Sequence, residues 1–523
     1  MTITTAKQLP RAVAQAWARP VALPLALAAL LLAPSARADW KFVPTLDLRE
    51  TYTDNVALQP EDRAQGQFVT EITPGFLLKH SGPRLTVNAR YQLQYFATQD
   101  HDISGTNRVA RQLQAEARGK VIDDFLYFDA NAARAQQNIS PFGQIVTNNN
   151  YASANRTEVT TWRVSPYLVH RFGTTANAEL RYARDSVDAG RTGLGSTDGN
   201  TLSFNLNSGT AYRTLGWGLA LSQQEINSDV ANDSTIKTAN GNLRYKVAPT
   251  LDLTAVLGYD SYDYQTLGGA TGGRAWNAGF AWTPSHRTSL TATLGHRYYG
   301  PSRALKALHR SRHTSWSINY DDSVTSSRAN FLLPSAVDTA DLLDGLFRPS
   351  YPDPVERQRA IEAYMLATHL PPSIANNINY FSNRYSLQKQ LRATMAFRQG
   401  RTSALFSVYK VRREALSIRA TDSDLLGSSL NTINDNTSQK GFTAQWDYRL
   451  TGRTNLALSS DIVDNESLSN GLKARSSSVR FDMRHQLRAR MTGNLELRRI
   501  KGAVLGGRPY TENALSASLN MQL

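Results

Sequence analysis

Apolar and polar residues alternate one for one along residues 84–96, RLTVNARYQLQYF. Leu85, Val87, Ala89, Tyr91, Leu93 and Tyr95 share one phase, and Arg84, Thr86, Asn88, Arg90, Gln92 and Gln94 the other. Side chains on a strand switch face at each residue, so the pattern predicts a ribbon with one oily and one wet side. Strands of soluble proteins usually run to about 5–6 residues. A tilted strand that crosses a bilayer needs roughly 9–11, with aromatic residues near the headgroups. The rhythm recurs at Trp162, Val164 and Leu168, at Trp276, Ala278, Phe280 and Trp282, at Ala444, Trp446 and Tyr448, and at Val479, Phe481, Met483 and Leu487.

Between these segments, two kinds of connection alternate. Short turns fall at Ser81-Gly82-Pro83, 119–124, Arg171-Phe172-Gly173, Arg213-Thr214-Leu215, Ala248-Pro249, Pro284-Ser285-His286, Ser311-Arg312, Gln399-Gly400-Arg401, Thr451-Gly452-Arg453 and 489–492. Long polar connections include 54–67, 98–106, 138–156, 185–200, 224–237 and 417–438. A sandwich has no reason to alternate them, whereas outer-membrane barrels place short turns in the periplasm and long loops outside. The expected fold is therefore all-β: a transmembrane, antiparallel, up-and-down β-barrel of about 22 strands. At the end of the chain, Leu515, Ala517, Leu519, Met521 and Leu523 alternate with polar residues. This reads as the last strand, with Leu515, Leu519, Met521 and Leu523 as the contact for the barrel-assembly machinery. Leu523 stands where such strands usually carry an aromatic residue.

One stretch breaks the rhythm. Residues 326–380 carry two helical signatures: Ser335 before AVDTADLLDGLF, and Asp353-Pro354 before VERQRAIEAYMLATHL, stopped by Pro371-Pro372. Alternation puts this insertion on the extracellular side, either as a lid or plug for a wide lumen or as an ordinary surface lobe. At the start of the chain, Lys7, Arg11 and Arg19 lead into VALPLALAALLLAP and then Ala36-Arg37-Ala38. That is the layout of a secretory leader over 1–38, leaving 39–523 as the barrel. The expected location is the outer membrane of a Gram-negative bacterium, against phospholipid and lipopolysaccharide.

Composition narrows the chemistry. The 523 residues include no cysteine, which excludes disulfides and thiolate metal sites. The net charge of +15 favours anionic neighbours. Because the basic residues are spread along the chain instead of clustered, nucleic acid is not expected. His309 and His313 share a four-residue spacing, but HRSRH lacks the glutamate of a zinc helix and sets Arg310 and Arg312 between the imidazoles. No catalytic or cofactor motif stands in a suitable context, so neither an enzyme nor a cofactor is expected. If Phe481 and Met483 face lipid, then Arg480, Asp482, Arg484, Arg488 and Arg490 line the interior, with Glu496 and Arg498 on the next strand. Such a ladder either offers guanidinium forks to an acidic glycan or cross-braces the wall. Arg213, Arg287, Arg401 and Arg453 each precede Thr in a short turn, a hairpin-level repeat that turn chemistry could account for.

Several short motifs add a resemblance. Trp40 and Pro44, then Glu50-Thr51-Tyr52-Thr53-Asp54-Asn55-Val56, Thr73-Pro74-Gly75, Trp282-Thr283-Pro284-Ser285-His286-Arg287-Thr288, Gly295-His296-Arg297-Tyr298-Tyr299-Gly300 and Pro352-Asp353-Pro354 occur in order. In these the chain resembles the PEP-CTERM-system-associated outer-membrane protein family. The resemblance implies an outer-membrane barrel in bacteria that couple exopolysaccharide production to a protein-sorting system, and it supplies no chemistry. Two functions follow as expectations: a porin-like or export component for an anionic exopolysaccharide, working with export proteins, or a barrel that displays its loops.

Overall fold

The computed structural model describes residues 40–98, 109–144, 155–189, 195–230, 232–266, 271–332, 384–418, 436–503 and 508–523. The expected leader, and both expected helices of the 326–380 insertion, lie outside these residues. Twenty-two strands follow one another. The first eight are β1 (Trp40–Thr53), β2 (Gln67–Ser81), β3 (Leu85–Thr98), β4 (Val109–Ile122), β5 (Leu126–Asn138), β6 (Arg156–Phe172), β7 (Ala176–Asp188) and β8 (Ser196–Ser208). Next come β9 (Leu215–Ser228), β10 (Ser234–Ala248), β11 (Leu251–Asp263), β12 (Gly272–Ser285), β13 (Thr288–Arg297), β14 (Gly300–Arg310) and β15 (Thr314–Thr325). The last seven are β16 (Ser386–Gln399), β17 (Thr402–Ala415), β18 (Asn436–Arg449), β19 (Thr454–Ser467), β20 (Lys473–Arg488), β21 (Met491–Ala503) and β22 (Pro509–Gln522). One helical segment of two turns, α1 (Ser327–Leu332), follows β15.

Each strand pairs antiparallel with the next, and β22 pairs with β1 from Thr45↔Gln522 to Thr53↔Ala514. The sheet is therefore a closed ring with no free edge, the condition for a β-structure to sit in hydrocarbon. The ten short turns expected from the sequence all fall between an even strand and the odd strand after it, at one rim. Both ends of the ring seam, Trp40 and Leu523, lie at that rim too. Irregular register occurs there at Lys120/Ile122, Lys246/Ala248, Trp282/Ser285 and Gln486/Arg488, as rims of barrels favour. In the third of these Pro284, which has no amide hydrogen to donate, occupies one of the two skipped positions.

Leu48, Tyr52, Leu257, Tyr259, Leu294, Val408, Leu497 and Leu515 are all exposed on the outer face. On β1 the outward Phe42 and Tyr52 are ten residues apart, roughly 26 Å along the normal for a strand tilted about 40°, against an apolar band of about 25 Å. The inner face is polar instead, with small buried apolar clusters near the other rim, such as Val56, Val69, Phe96 and Ala110. Among the described residues no helix is long and apolar enough to cross a membrane. Crossing is done by strands.

This division has a direct test. Leu257 is 69% exposed on the outer face, so Leu257→Arg should cost about 2–4 kcal/mol in lipid. Its neighbour Val256 points inward, and Val256→Arg should be tolerated. Urea titrations of the protein folded into vesicles compare them, and equal losses would contradict the assignment of faces.

Candidate functional site

On β19 to β22 the inward positions carry Asp461, Arg480, Asp482, Arg484, Asn494, Glu496, Arg498 and Glu512. Register sets Arg480 beside Arg498, Asp482 beside Glu496 and Arg484 beside Asn494. Arg498 is held hardest. Its Nη1 donates to Glu496 Oε1 at 2.8 Å and its Nη2 to Glu512 Oε1 at 3.2 Å. Glu512 also accepts from Thr53 Oγ1 at 2.9 Å, across the seam between β22 and β1. The Arg498 side chain has 0% exposure, so its fork is committed to the wall. Arg480 keeps 24% exposure, with Nε 3.9 Å from Glu496 Oε1. Asp482 accepts from Asn494 at 3.4 Å, and Asp461 from Thr443 at 2.9 Å and Ser478 at 3.5 Å. Five of the seven ladder residues are thus brought together. Arg488 and Arg490 stand apart, exposed at the β20–β21 hairpin, because the bulge between Gln486 and Arg488 ends the alternation before them.

Elsewhere on the inner wall the same economy holds. Arg181 bridges Asp129 and Glu179, each at 2.9 Å, and lies 3.8 Å over the ring of Tyr167. Gln92 donates to Asp47 and Gln94 to Glu71. These partners sit on the same strand, the next one or the next but one, and pairing of this kind is what a partly dehydrated wall requires. A ring closed without edges, oily outside and wet within, fits only a membrane reached by export. The protein is an outer-membrane β-barrel.

The other rim holds a second cluster, one that alternation could not reveal. Helix α1 leaves β15 and reaches β7, where Arg328 pairs with Asp185, while Phe331 and Leu332 pack on Val159, Val187 and Ala189. Asp185 is paired in register with Gly199, and a Cβ there would come within 2.1 Å of the Arg328 guanidinium. Tyr385, just before β16, shares a 2.6 Å hydrogen bond with Ser234 and stacks on Tyr264 with ring centroids 4.9 Å apart. Tyr264 and Tyr298 lie with hydroxyls 3.5 Å apart. Burial pushes the phenols of Tyr264, Tyr298 and Tyr385 up, so they stay neutral at ordinary pH. Between Arg328, Ser234, Tyr264 and Tyr385 lies a cavity of about 230 Å³ lined also by Asp233, Asp263 and Gln265. Further stitches cross the mouth: Ile418 N donates to Gln265 O, Asn465 to Pro141 O, and Gln144 to Ala57 O and Leu58 O. Among the described residues no group of three His, Asp or Glu is placed to hold a metal ion.

No protein-family model and no curated protein matches this sequence. Solved structures do match in part. The siderophore receptor PirA from Pseudomonas aeruginosa aligns over 93% of this chain and 81% of its own, at 8% identity and a TM-score of 0.44. The FrpB iron transporter from Neisseria meningitidis, F5-1 variant, aligns over 92% and 81%, at 10% and 0.48. OpdK from Pseudomonas aeruginosa, solved with vanillate, aligns over 92% and 99%, at 9% and 0.34. Likenesses this distant carry nothing about what the present chain handles.

Two substitutions probe these sites. Arg498→Ala removes the cation between Glu496 and Glu512 and leaves the buried Glu512 without its ion pair, so it should cost about 3–5 kcal/mol, read as a lower unfolding temperature in detergent. Gly199→Leu should displace Arg328 and raise amide hydrogen exchange over 327–332, with the strands still protected. Unchanged exchange there would mean that Asp185 does not hold the helix.

Proposed function

We propose that the protein is a porin-like or export component that passes an anionic exopolysaccharide across the outer membrane, in association with the PEP-CTERM system. The observation that carries this reading is the charged inner wall within a 22-strand ring, a size that encloses far more space than its own inward side chains fill. Half-buried Arg480 and Arg484 add cations to that wall beyond those locked in the Arg498 clamp. The resemblance in 40–75 and 282–300 supports the link to exopolysaccharide.

A display barrel without transport is the second reading, and one observation favours it. All three guanidinium nitrogens of Arg498 donate to Glu496 or Glu512, as a brace would. Planar bilayers separate the two, since only the first reading gives channels that an acidic glycan blocks. Arg480→Ala with Arg484→Ala should lower the anion preference of such channels, seen as a shift of reversal potential in a salt gradient. Unchanged reversal potentials would leave the ladder as bracing alone.

A further inference from the structure

Charge is divided unequally between the two rims. The ten short turns hold seven arginines and two aspartates, and both aspartates sit in the one turn between β4 and β5. By sequence, the connections leaving the opposite rim hold sixteen carboxylate residues and ten arginines. On the short-turn rim, five consecutive hairpins, from β12–β13 to β20–β21, each carry one arginine at the tip: Arg287, Arg312, Arg401, Arg453 and Arg490. All five are exposed, and none has an ion pair among the described residues.

Turn chemistry does not explain them. The carbonyls of Arg287, Arg401, Arg453 and Arg490 accept backbone hydrogen bonds from Arg310, Arg449, Gln486 and Gln522 of neighbouring strands. That task belongs to the main chain, and any residue could perform it; among the five side chains Arg401 alone makes a turn contact, a long exposed one from Nη1 to Leu450 O at 3.4 Å. Arg312 has no such bond and carries an arginine all the same. Five exposed guanidinium groups in a row, with no acid opposite, repel one another and are retained at a small cost in stability.

Lipid phosphate is a poor fit for the partner. The outward Trp282, Trp316 and Trp446 mark the aromatic belt; counted from Leu290 and Leu458, the cross-strand partners of Trp282 and Trp446, and from Trp316 itself, the tips bearing Arg287, Arg453 and Arg312 lie three to five residues beyond it. That places them roughly 8–13 Å further out for a strand tilted about 40°, past a headgroup layer of about 5–7 Å. Adjacent tips are two strands apart, roughly 12 Å along the rim. A single small anion cannot span that distance, but an extended chain with repeated negative charges can.

We propose that this arc is a collar that captures a polyanionic polysaccharide, bearing carboxylate, sulfate or phosphate groups, as it arrives from the periplasm. The collar deepens the export reading and rests on it for its purpose: it fixes the entry side and the sign of the cargo. Guanidinium forks suit such groups, and their summed field raises the local concentration of polymer at the entrance.

The test uses the full-length protein in nanodiscs of zwitterionic lipid, with fluorescent polygalacturonate as the probe and neutral dextran as control. The wild type should bind polygalacturonate and not dextran, and added salt should weaken the binding. A variant with R287Q, R312Q, R401Q, R453Q and R490Q together should lose at least roughly tenfold in affinity, while the matching five-lysine variant keeps it. A control that removes the same charge at the other rim, through K237Q, R274Q, K473Q, R475Q and R508Q, should bind like wild type. Equal binding by the glutamine collar variant overturns the proposal, and so does an equal loss in the far-rim control. A collar variant that binds glycan normally but loses thermal stability only in phosphatidylglycerol discs would make the arc a lipid clamp. Channels without collar-dependent binding would sink the collar and leave the export reading, whereas collar-dependent binding without channels would do the reverse.

Discussion

Backbone hydrogen bonding in hydrocarbon is the constraint from which the rest of this structure follows. A strand inside a bilayer has no water to satisfy its amides, and each unpaired group would cost several kcal/mol. Pairing every strand with its successor solves this for all but two edges, and β22 on β1 removes those. Once the ring is shut, its outer side chains must be apolar and its inner ones polar. Alternation along the chain is the sequence-level record of that demand.

Enclosure then governs the charges. Arg498 and Arg328 lie where water is scarce and Arg181 is largely buried, and each is matched with carboxylates on strands within reach. At the short-turn rim, where water is plentiful, Arg287, Arg312, Arg401, Arg453 and Arg490 have no ion pair among the described residues. The contrast follows from solvation: a buried lone cation is expensive, an exposed one is cheap, and only the exposed one remains free to meet a partner. Stability and recognition thus occupy different depths of one wall.

Much of the fold was legible in the chain, because faces follow a period of two. The segment 84–96 became β3 (Leu85–Thr98), the ten short turns fell where Gly, Pro and Arg punctuated the rhythm, and the last strand ran to Gln522. The candidate ladder was legible only as a phase. That Arg480, Asp482 and Arg484 share a face follows from spacing, but their partners depend on register, which a period of two leaves free. Glu512 was therefore missed as a partner of Arg498, and Thr53 as a partner of Glu512, since they come together only across strands β21, β22 and β1. The bulge after Gln486, which sets Arg488 and Arg490 apart, left no mark that alternation could register. The cluster of Tyr264, Tyr298 and Tyr385 was equally hidden, because it is gathered from three connections far apart in sequence.

The stitches across the mouth bear on how this surface can change with time. Loops on an exposed barrel are ordinarily free to drift, each under pressure from whatever phage or predator recognises it. Here Arg328 needs Asp185 and the empty space beside Gly199, Tyr385 needs Ser234, and Asn465 needs the carbonyl of Pro141. A substitution of Arg328, Asp185, Gly199, Tyr385, Ser234 or Asn465 calls for a compensating change elsewhere at the mouth, so escape variants should concentrate at the residues between them and spare these six.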